Sequence, residues 1–238
     1  MADALAEAAG REARDDPMLP GTGGPAGNAV LTAWTGLVLL ALGVAELLTL
    51  FDVRGLISWH VAIGGLLIPP ALLKTGSTGW RMVRYYLGHR PYREAGPPVL
   101  LLRLLGPLVV ASTVALLGTG VLLILLGEQR SRVELFSLVL FRIDWITLHQ
   151  VAFAVWAGAT GVHLLTRIVP ALRLTFAAPA SRRVPGGRFR SSALAIVGAL
   201  AVALALVLVR ADGSWARDVL RGGHEGRPPA AGTGRFTP

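Results

Sequence analysis

The amino-acid sequence predicts an all-α protein, a transmembrane helical bundle, and three observations lead to this fold class. Hydrophobic residues make up 53% of the 238 residues, and charged residues only 16%, against roughly 25% in an average soluble domain. Five apolar stretches are long enough to cross about 30 Å of hydrocarbon as helices. The basic residues are concentrated between these stretches. This distribution is typical of membrane proteins.

The five predicted spans divide the chain into segments. The spans cover residues 29–51, 55–73, 104–126, 145–166 and 192–209. We expect a disordered tail (1–28), a four-span core (29–170), a basic loop (171–191), a fifth span (192–210) and a flexible tail (211–238). The fifth span is uniformly aliphatic, so it should face lipid on most sides. The apolar segment 133–141 is too short to span and should lie along the outer interface.

The positions of the basic residues predict the orientation of the spans. Six basic residues lie between spans two and three, and six between spans four and five, whereas the other two loops hold one and three. Because cytoplasmic loops carry the excess of Lys and Arg, both basic loops and the N-terminus should be cytoplasmic. The C-terminal tail should be outside the plasma membrane.

Composition also excludes several classes of site. The chain has no cysteine, which excludes disulfides, Cys-ligated zinc, iron–sulfur clusters and covalent CxxCH haem attachment. The net charge of +9 comes from residues next to apolar runs. It therefore indicates contact with membrane lipids, and we expect no nucleic-acid partner.

Three histidines lie within the spans, His60 in the second and His149 and His163 in the fourth. Ionisable residues at membrane depth are candidates for function, and neutral imidazole is a usual ligand of haem iron. Spans two and four run in the same direction, and His60 and His149 both lie roughly 6–8 Å below the outer surface. The two imidazoles are therefore predicted to be the axial ligands of one haem b, with Glu46 orienting one of them.

His163 lies fourteen residues after His149, on nearly the same helix face and about 21 Å deeper. The corresponding position on span two is Lys74, so a second bis-histidine haem is not supported. Three roles remain open for His163: a quinone-site residue, a proton-relay group, or an axial ligand if the span boundaries shift. A simple hydrogen bond from His163 to a neighbouring carbonyl is the structural alternative.

Two segments carry a resemblance to a known family. The residues from His60 to Pro98 read HVAIGGLLIPPALLKTGSTGWRMVRYYLGHRPYREAGPP, and those from Leu148 to Leu165 read LHQVAFAVWAGATGVHLL. They resemble the membrane-embedded b-type cytochromes of actinobacteria, in the broad cytochrome b561 and ferric-reductase-like group. The resemblance covers roughly residues 30–170 and is strongest at KTGSTGWRMVRYY.

The resemblance implies a haem-binding fold, with His60 and His149 as ligands and His163 also at a histidine position. The family pattern uses four histidines for two haems, whereas this chain has three within its spans. Members of the group often work beside a molybdopterin or flavin oxidoreductase, so such a redox partner protein is implied here.

These features together predict an electron-transfer subunit that passes electrons through haem b between the quinone pool and a redox partner. The alternative is a haem-free membrane scaffold or transport protein whose histidines relay protons. A stand-alone reductase is disfavoured, because no GxGxxG-type fingerprint follows a strand pattern. No Ser-His-Asp or paired-carboxylate arrangement can be identified in the sequence either.

Overall fold

The computed structural model describes residues 16–97, 100–138, 141–176, 184–213 and 215. In chain order the elements are α1 (Gly24–Thr49), α2 (Ile57–Tyr86), α3 (Arg90–Glu94), α4 (Leu100–Ser131), β1 (Phe136–Leu138), β2 (Phe141–Ile143), α5 (Trp145–Phe176) and α6 (Gly187–Ala211). A single 3-10 turn, Leu50–Asp52, extends α1. Five helices, α1, α2, α4, α5 and α6, are long and apolar enough to cross a membrane. The predicted all-α, multi-pass fold is therefore confirmed.

Two of the predicted segments, the N-terminal tail and the basic loop, have different limits in the structure. Helix α1 begins at Gly24, within the predicted disordered tail, after Gly23 with φ 86° and with Pro25 in its first turn, a favourable position for proline. Helix α5 continues to Phe176 and α6 starts at Gly187, so both ends of the predicted basic loop are helical. The segment 133–141 contributes β1 to an antiparallel hairpin with β2. Residues 1–15, 98–99, 139–140, 177–183, 214 and 216–238 lie outside the described residues.

Four of the long helices form a ring. Helix α1 packs against α2 and α5, α4 packs against α5, and α4 touches α2 more lightly. Helices α2 and α5 therefore lie diagonally opposite each other and make little direct contact. Diagonal helices of an up-and-down bundle run parallel, so the N-terminal turns of α2 and α5 meet at the same end of the interior.

The fifth span, α6, lies outside this ring against α2. A Cβ atom at Gly65 of α2 would lie 2.9 Å from the Cα atom of Ala205, so the glycine permits close backbone approach, as is common between membrane helices. Large apolar side chains elsewhere on α6 are exposed, among them Ile196 and Leu206. One face of the span is packed and the rest is open to lipid.

The buried guanidinium of Arg190 joins the start of α6 to the segment before α1. It is 2% exposed and donates hydrogen bonds to the carbonyls of Thr22, Val184 and Pro185 at 3.2, 2.9 and 2.7 Å. The segment before α1 is also held by Asp16, whose carboxylate accepts two hydrogen bonds from Arg81 at 2.6 and 3.0 Å. This segment is thus fixed against both α2 and α6.

Helix α4 is interrupted near its end at Gly127, which adopts φ 74° and ψ 168°. The Leu123 carbonyl, one turn before the interruption, accepts a hydrogen bond from Ser131 Oγ at 3.5 Å. The indole Nε1 of Trp215 donates to that carbonyl at 3.2 Å. This bond attaches the end of α6 to α4.

Asp212, just after α6, is 1% exposed, and neither carboxylate oxygen has a hydrogen-bond partner among the described residues. Burial raises the pKa of Asp212 to about 6. The folded chain therefore holds this proton more tightly than the unfolded chain does. The contribution of protonated Asp212 to the stability of the folded protein is complete below the ordinary aspartate pKa, and it is lost as the pH rises through about 6.

We therefore expect Asp212→Asn to raise the melting temperature at pH 8, where it removes a buried charge, and to change it little at about pH 3, below the ordinary aspartate pKa. The measurement is tryptophan fluorescence of detergent-purified protein during heating. Asp144→Ala is the opposite control, because hydrogen bonds from Thr147 to Asp144 lower the pKa of that carboxyl. Its removal should destabilise the protein more at pH 8 than at low pH. An equal effect of Asp212→Asn at both pH values would contradict the prediction.

Candidate functional site

The structure brings His60 and His149 together inside the bundle. His60 is in the first turn of α2, and His149 is in the second turn of α5. The centroids of the two imidazole rings are 6.4 Å apart, and the ring planes are at 89°. The two histidines singled out in the sequence thus lie at one depth and face each other across the bundle.

The imidazole of His60 is held by the end of α1. Its Nδ1 lies 2.9 Å from Thr49 Oγ1 and 3.1 Å from Glu46 Oε1. The Thr49 hydroxyl donates its own hydrogen to the Glu46 carbonyl at 2.6 Å. Because a hydroxyl carries one hydrogen, Thr49 Oγ1 can only accept from His60. The Nδ1 atom of His60 therefore carries the proton.

The imidazole of His149 is held in the same way by α4. Its Nδ1 lies 2.9 Å from Thr119 Oγ1, and that hydroxyl donates to the Ala115 and Leu116 carbonyls at 2.7 and 3.0 Å. Thr119 Oγ1 must therefore accept from Nδ1–H of His149. The next residue, Gly120, leaves room for the ring, since a Cβ atom there would lie 3.2 Å from His149 Cε1.

Both rings therefore have a protonated Nδ1 and an unprotonated Nε2 when neutral. Among the described residues, Nδ1 of each ring contacts a threonine hydroxyl, and His149 also forms a hydrogen bond to the backbone of Leu116. A neutral imidazole with one N–H fixed by a neighbouring oxygen and a free lone pair on the other nitrogen is the form that binds metal ions.

The separation of the rings is compatible with one metal ion between them. Two opposed imidazoles that share a metal have centroids roughly 6 Å apart, because each metal–nitrogen bond is about 2 Å. Rotation of a ring about that bond leaves the separation unchanged, so the 89° angle is allowed. The same separation also suits a direct edge-to-face ring pair.

There is open space beside Gly43, three residues before Glu46 on α1. Gly43 of α1 is buried, yet a Cβ atom there would meet no heavy atom within 4 Å. The described residues contain no cluster of three or more metal-ligating side chains.

Glu46 lies where the sequence placed it, beside His60. Its Oε2 atom is buried and has no hydrogen-bond partner among the described residues. Sequence reasoning did not identify Thr49 and Thr119. The signal available for them was weak, since threonine commonly bonds its own helix carbonyls in membrane spans.

The structure does not bring His163 to this pair. It lies about 21 Å further along α5, where the charges of Lys74 and Arg167 act on its ring. Its Nδ1 atom is buried without a hydrogen-bond partner in the described part of the chain.

Comparisons with known proteins identify no relative. No protein-family model matches the chain, no curated protein matches it, and no solved structure matches its fold.

Proposed function

We propose that this chain is a membrane electron-transfer subunit of the cytochrome b type. In this proposal Nε2 of His60 and Nε2 of His149 bind the iron of one haem b, and the subunit passes electrons between the quinone pool and a redox partner protein. The observation that supports it most directly is the pair of threonine hydroxyls, which fix the proton of each facing imidazole on Nδ1.

The chain's own residues hold and tune the site. Thr49 and Glu46 fix the plane of the His60 ring, and Thr119 fixes that of His149. Hydrogen bonds to the outer nitrogen of a ligating imidazole raise its basicity as a ligand. Bound haem b supplies a one-electron ferric–ferrous couple.

The location of the His60–His149 pair suits electron transfer to or from a redox partner on one side of the membrane. His60 and His149 lie near the N-terminal ends of α2 and α5, which the charge distribution predicts to be the outer ends. A molybdopterin or flavin oxidoreductase, implied by the sequence resemblance, would receive or deliver electrons there.

One contact supports the alternative, a haem-free scaffold or proton-relay transport protein. Glu46 and His60 form a carboxylate–imidazole pair at 3.1 Å within the bundle, and such pairs are used in proton relays. In that case the two rings would pack directly edge to face and would bind no metal.

An absorption experiment separates the two functions. Protein expressed with ample haem supply and purified in detergent should show a Soret band and the reduced-minus-oxidised spectrum of low-spin haem b. The pyridine haemochrome assay should give one haem b per chain. Absence of haem from folded protein would contradict the proposal and favour the haem-free alternative.

A further inference from the structure

A cavity lies at the end of α2 that is remote from His60. It has a volume of about 250 Å³ and is bounded by the segment before α1, the last turns of α2 and the start of α3. Its walls include Leu19, Pro20, Trp80, Arg84, His89 and Tyr92. None of the described residues that line the cavity is acidic. The cavity therefore combines apolar and aromatic walls with two basic side chains.

The turn between α2 and α3 brings these two basic side chains together. Gly88 adopts φ 81°, a conformation that glycine permits at low cost, and the backbone N–H of His89 donates to the Arg84 carbonyl at 3.1 Å. Nη1 of Arg84 then lies 2.9 Å from Nε2 and 3.2 Å from Nδ1 of His89. The guanidinium carbon of Arg84 also lies 4.3 Å from the centroid of the Trp80 ring, a cation–π contact. The guanidinium is therefore held in one orientation.

The charge of Arg84 is not neutralised by a carboxylate in the described part of the chain. Its neighbours Arg81 and Arg90 do form ion pairs, with nitrogen–oxygen distances of 2.6 and 2.8 Å. A guanidinium has five N–H donors, and the contact with His89 involves one of its three nitrogens. The cavity thus offers a fixed cation with free donors, and an anion with several oxygen acceptors is its chemical complement.

The depth of the cavity indicates where such an anion comes from. Helix α2 has 30 residues and is therefore about 45 Å long, the thickness of a bilayer with its head groups. Trp80 and Arg84 lie in its last two turns, at the level of the head groups, where tryptophan is enriched. Met82 and Val83 in the same turns are 57% and 50% exposed, which suits contact with acyl chains. A phosphate at this level belongs to a phospholipid.

We infer that this cavity binds the head group of an anionic phospholipid, with the phosphate oxygens accepting hydrogen bonds from Arg84 and His89. A guanidinium can donate two parallel hydrogen bonds to one phosphate. Head groups that carry an ammonium are disfavoured, because the lining offers basic side chains and no described acidic one. Lipid binding at this position requires no haem, so it is independent of the function proposed above.

The test is native mass spectrometry of the detergent-purified full chain with added phosphatidylglycerol, which gives the Kd of the first bound lipid. Arg84→Gln should weaken this binding about tenfold, and His89→Phe, which keeps a ring but removes its nitrogens, about threefold. Arg93→Gln is the matched control. It removes the same charge from an exposed residue of α3 that does not line the cavity, so the Kd should stay within about twofold.

Three outcomes would overturn the lipid site. Equal weakening in Arg84→Gln and Arg93→Gln would show attraction to the basic surface as a whole. Equal affinity of the original protein for phosphatidylglycerol and phosphatidylcholine would remove the requirement for an anionic head group. Glycerol 3-phosphate that binds as tightly as the lipid would make a soluble phosphate ester the ligand.

The comparison does not depend on one variant. If Arg84→Gln fails to fold, His89→Phe against Arg93→Gln decides the result. The side chain of His89 is exposed, and its replacement leaves the backbone hydrogen bond to the Arg84 carbonyl in place. An unchanged Kd in His89→Phe would then contradict the assigned position of the phosphate.

Discussion

His60→Ala and His149→Ala are each expected to abolish the low-spin haem b spectrum, and the double variant should be no worse than either single one. Low-spin iron needs a strong nitrogen donor on each side of the porphyrin, and either substitution leaves one side open. Met82 is the only methionine in a described helix, and it lies 22 residues after His60, about 33 Å along α2. No sulfur ligand can therefore replace a missing imidazole.

The measurement is the visible spectrum of membranes that contain each variant at matched expression. Glu46→Gln is the conservative control. It keeps an oxygen acceptor beside His60 Nδ1, so haem should remain while its reduction potential shifts. An unchanged low-spin spectrum in either histidine variant would refute the pairing and transfer the ligand role to His163.

Gly120→Val is expected to remove most of the bound haem, although residue 120 carries no functional group. Even a Cβ atom there would lie 3.2 Å from His149 Cε1, and the two methyl groups of valine extend further. The imidazole would have to leave its position beside Thr119, and its Nε2 would no longer point to the proposed haem iron.

Gly118→Val provides a matched control for this effect. It lies on the same helix, and a Cβ atom there meets no heavy atom within 4 Å, so both variants change helix propensity equally. The ratio of haem absorbance to protein should stay near that of the original protein in Gly118→Val only. Equal ratios in the two variants would contradict the assigned position of His149.

The sequence predicted the parts of the fold that are determined by the hydrocarbon core of the membrane. Apolar stretches of sufficient length specify membrane helices almost irrespective of their neighbours, so all five spans were identified. Counting residues from their ends then placed His60 and His149 at one depth, and the rings are indeed 6.4 Å apart.

The remaining features depend on contacts that hydropathy does not report. The start of α1 at Gly24 lies in a polar segment held by Arg81 and Arg190, both of which are distant in sequence. Thr49 and Thr119 support the histidines only because α1 and α4 flank α2 and α5. A single sequence shows neither the neighbouring helix nor the direction of a hydroxyl hydrogen.

The contact between Arg190 and Thr22 also affects the order in which the protein can be assembled. These residues are 168 positions apart, and domains generally begin to fold from the N-terminal end during synthesis. The segment before α1 therefore emerges long before its partner at the start of α6 has been made. Four spans can be inserted while the Thr22 carbonyl still lacks the Arg190 guanidinium. The fifth span thus completes the bundle. A truncated chain that lacks this span also lacks the bond between the segment before α1 and the start of α6.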